Sequence, residues 1–153
     1  TPLYDETFEV LLPAQHPFAK QKRIAPDALD NEPVLMLGEG HCLRDQVLSF
    51  CPHIHGNAPG GRTEVGASSL ETIRHMVAAG MGISVLPQTA CASPWYDDSV
   101  LVTRPFMKPE PTRRVALAWR SSFPRTKAID VLIAATREAA KRRGTLAIPA
   151  KPA

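Results

Sequence analysis

Apolar residues fall in short runs along the chain, separated by glycine, proline and charge. FEVLL, from Phe8 to Leu12, is closed by Pro13 and reads as a buried strand. Residues 13–23 are polar, carry a basic cluster at Lys20, Lys22 and Arg23, and read as a solvated loop. Pro26–Leu29 fits a helical turn, and PVLML, Pro33–Leu37, a second buried strand. Gly38, Glu39 and Gly40 break the chain before Leu43–Phe50, which has helical composition. Residues 52–62, PHIHGNAPGGR, are rich in turn formers. Ser68 with Glu71 then fits a capping box, Leu70, Ile73 and Val77 follow at helical spacing, and Gly80 suits a helix stop. Ile83–Leu86 reads as a buried strand closed by Pro87. A loop holds SPWYDD at 93–98, and further strands are predicted at Val100–Thr103 and at VALAW, Val115–Trp119. The last helix is predicted from about Thr126 to Arg143, with Ile129, Leu132, Ile133 and Thr136 as its inner stripe. Arg137, Lys141, Arg142 and Arg143 crowd its negative end, and the tail from Gly144 reads as loose. Strands and helices alternate without internal repeats. That pattern predicts an α/β fold with a largely parallel or mixed sheet.

Composition narrows the class. A chain of 153 residues suits one domain with a real core. With 44% hydrophobic and 22% charged residues it reads as globular and soluble. No run of about 18 apolar residues suggests a membrane span, and no charged-then-apolar start resembles a signal peptide. The chain opens on Thr1 rather than Met, which reads as a piece of something longer. A net charge of +3 is too mild to argue for nucleic acid, and no helix-turn-helix, zinc-finger or aromatic-basic pattern stands out. Three cysteines leave one over in any pairing, which argues against a secreted disulfide framework. The expected compartment is reducing. There, a close thiol pair is more often catalytic, sensory or metal-binding than structural.

That pair lies in GHCLRDQVLSFC, Gly40 to Cys51. If the intervening residues are helical, Cys42 sits at the helix N-terminus beside His41 and Arg44, an environment that favours a reactive thiol. Cys51, nine positions on, would be about 13 Å further along the axis and half a turn out of phase. A disulfide needs Cα atoms within about 7 Å, so a bond between them requires the helix to unwind. Oxidation of Cys42 to a sulfenic acid, followed by attack from Cys51, would make this stretch a redox switch. Pro52, Gly56, Pro59, Gly60 and Gly61 would give the following segment room to rearrange. Two other readings stand beside it. The cysteines are two buried apolar residues, or they join His41, His53 and His55 as metal ligands, although the spacing matches no familiar zinc pattern. Cys91, between Ala90 and Ala92, reads as an inert core thiol.

GHCLRDQ with its second cysteine, then SSLETIRHMVAAGMGISVLP, then KPEPTRRVALAWR, together resemble the OxyR family, the hydrogen peroxide-sensing transcription regulators of the LysR type. The middle segment is typical of LysR-type effector domains in general, whereas HCLRDQ with the cysteine pair is more specific. The resemblance implies a periplasmic-binding-protein-like fold of two α/β subdomains with an effector cleft. Residues 1–121 would be the second subdomain, with the redox switch over 40–65. Residues 122–153 would be a helix returning to the first subdomain and a loose tail. An N-terminal winged helix-turn-helix, a linker helix and the first half of the effector domain would lie outside this chain. By the same resemblance Cys42 is the peroxide-reacting thiol and Cys51 its resolving partner. His41, Arg44 and Asp45 flank the reaction site, and Arg120 reaches back to it, its guanidinium stabilising thiolate and leaving hydroxide.

The implied protein is a sensor rather than an enzyme, without cofactor or metal. Its partners would be hydrogen peroxide, a glutaredoxin- or thioredoxin-like reductant, and copies of itself in a dimer or tetramer. DNA and RNA polymerase would be reached only through the full-length protein, which would activate antioxidant genes in the bacterial cytoplasm, away from membranes. The competing reading is a LysR-type domain for a small anionic organic effector, with incidental cysteines. In it Ser68 and Ser69 hold a carboxylate at a helix N-terminus. A free-standing peroxidase is a weaker third, because no separate substrate-processing constellation is visible.

Overall fold

The structure is a computed structural model that describes residues 1–54, 66–91 and 97–142. The chain forms two compact units, Phe8–Pro111 and Thr1–Thr7 with Thr112–Ala153. The units part at Thr7 and at Pro111.

The larger unit is built on the second half of β1 (Pro2–Pro13), with β2 (Val34–Leu37), α1 (Cys42–Phe50), β3 (Gly66–Ala67), α2 (Leu70–Ala78), β4 (Ile83–Pro87), α3 (Gln88–Cys91) and β5 (Leu101–Pro105). Its strands lie in the order β3-β2-β4-β1-β5. β2 runs parallel to β3 and β4, and β1 runs antiparallel to β4 and β5, so the sheet is mixed. Every residue of β4 is buried. That suits a central strand covered on both faces. Its serine, Ser84, is satisfied by donating to the Leu35 carbonyl at 2.8 Å. β1 is central too, with Val10, Leu11 and Leu12 all buried between β4 and β5.

Helix ends in this unit follow local chemistry. Gly40 and Gly80 hold positive φ, +87° and +74°, just before α1 and just after α2. At the latter, Gly80 N–H bonds the Val77 carbonyl and Met81 N–H the Met76 carbonyl. This double closure ends a helix only where a left-handed residue is tolerated. The capping serine of α2 is Ser69, not Ser68, because the Ser69 hydroxyl accepts from Thr72 N–H at 3.1 Å. Glu71, freed from a capping box, instead pairs with Arg74 at 2.6 Å. The stretch read as a loop over 13–23 contains a 3-10 turn, Pro17–Lys20, closed by His16 Nδ1 accepting from Phe18 N–H. Pro26–Leu29 forms the second such turn.

The smaller unit pairs the first half of β1 with β6 (Thr112–Ala116), and carries α4 (Thr126–Arg142). The paired residues include Asp5 opposite Arg114 and Glu6 opposite Arg113. Both are ion pairs: Asp5–Arg114 at 2.8 Å and Glu6–Arg113 at 2.7 Å. Facing charges of opposite sign stabilise a strand pair, and they set β6 at Thr112–Ala116 rather than at Val115–Trp119. The hydrogen-bonded Arg114 guanidinium holds the Asp5 carboxyl below its ordinary value. On α4 the inward residues are Ile129, Ile133, Thr136 and Ala140, and Arg137 at their flank donates to the Pro2 carbonyl at 2.6 Å. Leu132 does not join that stripe: it is 48% exposed, because it lies roughly 70–80° around the helix from the stripe's centre.

Residues 55–65, with His55 and most of the glycine- and proline-rich segment, lie outside the described residues, as do most of SPWYDD and the tail from Gly144. Among the described residues no helix is long and apolar enough to cross a membrane.

One backbone crossing in the larger unit leaves no room for a side chain. A Cβ on Gly82 would clash with the Pro33 carbonyl oxygen, against the β2–β4 pairing that begins at Ile83. Gly82→Ala is therefore expected to destabilise the chain by roughly 1–3 kcal/mol, read as a lower urea midpoint at unchanged slope.

Candidate functional site

The site is built on α1, which places one thiol at each end. Gly38 N–H bonds the Ala67 carbonyl at 3.1 Å, which ties the loop before the helix to β3. The loop then turns at Gly40 and enters α1 through His41, whose backbone is extended and whose side chain makes no capping bond. Cys42 is the first helical residue and is exposed, like His41. Asp45, three residues on, is exposed on the same side of the helix.

The opposite side of α1 is buried through Leu43, Arg44 and Val47. Arg44 therefore does not sit on an exposed helix face. It lines a small recess with Leu37, Leu43, Val47, Ile73 and Ser84. His41 and Asp45 border Cys42, while Arg44 points toward the core two residues away.

Cys51 closes the helix. Its N–H bonds the Val47 carbonyl at 3.0 Å, it is 1% exposed, and its Sγ faces the Pro26 carbonyl at 3.9 Å. Burial pushes this thiol up to about 12, and the Asp30 carboxylate adds to the shift. Just before it, the Phe50 ring packs on Phe8 and Phe106, with centroids 5.0 Å and 5.7 Å away. Nothing in the sequence pattern singles out Pro26 and Asp30 as neighbours of the second thiol, or Phe8 and Phe106 as neighbours of the Phe50 ring. They arrive there through the sheet and the 3-10 turn at Pro26–Leu29.

None of Cys42, Cys51 and Cys91 is in a disulfide. Cys91 is half-buried at the end of α3, its Sγ 3.5 Å from the Pro87 carbonyl, and so is not fully in the core. The helical span separates Cys42 from Cys51 by about 13 Å along the axis. His53 is exposed, and no group of three or more His, Cys, Asp or Glu among the described residues could hold a metal ion. Ser68 is exposed, and the Ser69 hydroxyl is engaged as the cap of α2. Arg120 belongs to the smaller unit, where it is exposed and its carbonyl accepts from Phe123 N–H at 2.9 Å.

Comparison with known proteins places this arrangement. The LysR substrate binding domain family matches residues 1–141. The chain belongs to that family. Within it, the chain is 40% identical over 137 residues to the hydrogen peroxide-inducible genes activator of Dickeya chrysanthemi, spanning 90% of this chain and 44% of the relative. The reduced OxyR regulatory domain of Pseudomonas aeruginosa is similar at 51% identity and a TM-score of 0.80, over 90% of this chain and 64% of that one. The reduced form of OxyR from N. meningitidis is similar at 42% identity and a TM-score of 0.80, over 91% and 64%. This LysR substrate binding domain thus spans less than half of the curated relative, and its mixed α/β sheet is that of OxyR regulatory domains.

The seat of Cys51 has a pH consequence. The folded chain keeps a proton on this thiol that the unfolded chain releases near 9.0. Between that value and about 12 the unfolded state binds fewer protons, so stability falls as pH rises. Below it the contribution is complete. The slope reaches about 1.4 kcal/mol per pH unit. Cys51→Ala is expected to flatten this alkaline decline, measured as the urea midpoint against pH.

Proposed function

We propose that this chain is the redox-sensing part of a LysR-type transcription regulator that responds to hydrogen peroxide through a reversible Cys42–Cys51 disulfide. The observation that carries the reading is the opposite placement of two free thiols on one helix, exposed at its start and buried at its end. The similarity to peroxide-inducible activators and reduced OxyR domains supports it.

The chemistry divides into two steps. The Cys42 sulfur attacks one oxygen of hydrogen peroxide. An S–O bond forms, the O–O bond breaks, and hydroxide leaves and is protonated to water. Cys42 is now a sulfenic acid. Its exposure lets this step proceed with α1 intact. Cys51 then attacks that sulfur: an S–S bond forms, the S–O bond breaks, and the hydroxyl leaves as water with the Cys51 proton. Two thiols and one peroxide become a disulfide and two waters. Because the second step requires α1 to unwind, chemistry at one sulfur becomes a structural signal.

His41 and Asp45 border the reacting thiol and are assigned to its immediate setting. Arg44 is assigned to hold the helix from beneath. For Arg120 the role of stabilising thiolate and departing hydroxide rests on the family resemblance alone. A thiol reductant of the glutaredoxin or thioredoxin type would reset the switch. The longer protein would carry DNA binding, self-assembly and contact with RNA polymerase in the bacterial cytoplasm, and would control antioxidant genes. Such a protein reacts once per signal and is not an enzyme.

A short stoichiometric pulse of hydrogen peroxide, followed by intact mass and peptide mapping, tests the reading. The expected product is two hydrogens lighter, maps to a Cys42–Cys51 crosslink, and reverts with a dithiol. Cys42→Ser is expected to abolish it. Three unreacted thiols after the pulse would overturn the proposal for this chain, as would an effect that survives Cys42→Ser.

A further inference from the structure

The two ends of α1 are held very differently. At the N-terminal end His41 and Cys42 are exposed, and the cap has no side-chain bond. At the C-terminal end Phe50 packs against two aromatic rings. Its ring lies tilted by 46° on Phe8 and nearly perpendicular, 78°, to Phe106. Both neighbours are fully buried, Phe8 on β1 and Phe106 just past β5, where it bridges to Ile24. Cys51 follows immediately and is itself buried.

Moving Cys51 toward Cys42 therefore requires Phe50 to leave its seat. Offset and edge-to-face aromatic pairs hold more strongly than their buried area alone implies. The seat is also rigid, since Phe8 is locked in a sheet register opposite Pro87. The first oxidation needs none of this to move, because Cys42 already faces solvent.

We propose that Phe50 is the latch on the resolving thiol: its seat between Phe8 and Phe106 sets how fast Cys51 reaches oxidised Cys42. This rests on the peroxide-sensing reading and names the residue that paces its second step. Phe50 acts through the helix, so it is a positioning residue. The bond changes are those of the closure step, with S–S formed, S–O broken and water released. The latch governs how long the sulfenic acid of Cys42 persists before closure.

The two steps can be followed in one experiment. The chain is mixed with saturating hydrogen peroxide, quenched at intervals, and weighed intact. The sulfenic acid is one oxygen heavier and the disulfide two hydrogens lighter than the starting protein. Phe50→Leu keeps an apolar side chain but removes both ring contacts. Its first step is expected at the unsubstituted rate, with closure about tenfold faster. Phe50→Tyr keeps the ring and is expected to close within about twofold of the unsubstituted rate. Phe106→Leu loosens the same seat from the other side and is expected to accelerate closure alone. Closure that is unchanged or slower in both leucine variants overturns the latch. Absence of both oxidised species in the unsubstituted chain overturns the peroxide reading, and the latch with it.

Discussion

A nine-residue helix is marginal in water by itself, so α1 stands only while its inner face stays packed in the core. Leu43 and Val47 supply that face, and Arg44 lies between them with its side chain turned inward. The separation of the two thiols is therefore not a property of the cysteines. It depends on apolar burial by their neighbours, supported by β2, whose residues Met36 and Leu37 line the same space as Leu43. The sheet supplies this support through β2 and β4, while the turn at Pro26–Leu29 meets the far end of the helix at Cys51.

The two units use different physics. The larger one is organised by an apolar core in which central strands β1 and β4 have buried residues on both faces. In the smaller one, charged residues set the register of a two-stranded ribbon, with Glu6 buried against Arg113 and Asp5 held by both ends of the Arg114 fork. Buried pairs of this kind add less to net stability than to uniqueness of pairing, because desolvation offsets much of the attraction. A one-residue slip would leave the Glu6 carboxylate buried without the guanidinium now opposite it, so register is strongly specified.

Much of the helix that carries the two thiols was legible in the sequence. The glycines before Cys42, the helical composition up to Phe50 and the stop at Gly80 are local signals, and each element they predicted is present. What stayed hidden depended on distant partners. Asp5 and Glu6 disguise the first half of β1 as a polar segment until Arg114 and Arg113, more than 100 positions later, lie opposite them. The seat of Cys51 was invisible for the same reason, since Pro26 is 25 residues away and contributes only a backbone carbonyl. Adjacent serines at 68 and 69 offer equal capping chemistry, and it is the Ser69 hydroxyl that accepts from Thr72 N–H. Leu132 looked inward because periodicity locates a stripe without fixing its width.

The short strand β3 has a mechanical role beyond its two residues. Gly66 lies so close to Gly38 that a Cβ there would sit 3.0 Å from the Gly38 Cα, and Ala67 accepts the Gly38 N–H. The chain that leaves α1 at Cys51 is thus moored again at Gly66, beside the entrance to the same helix. Its contour length between those moorings is fixed, so any slack released by unwinding α1 must be taken up before Gly66. A rearrangement confined to that stretch leaves the sheet untouched. One that pulls through it strips β2 of β3, one of its two parallel neighbours, and loosens the loop that leads to Cys42.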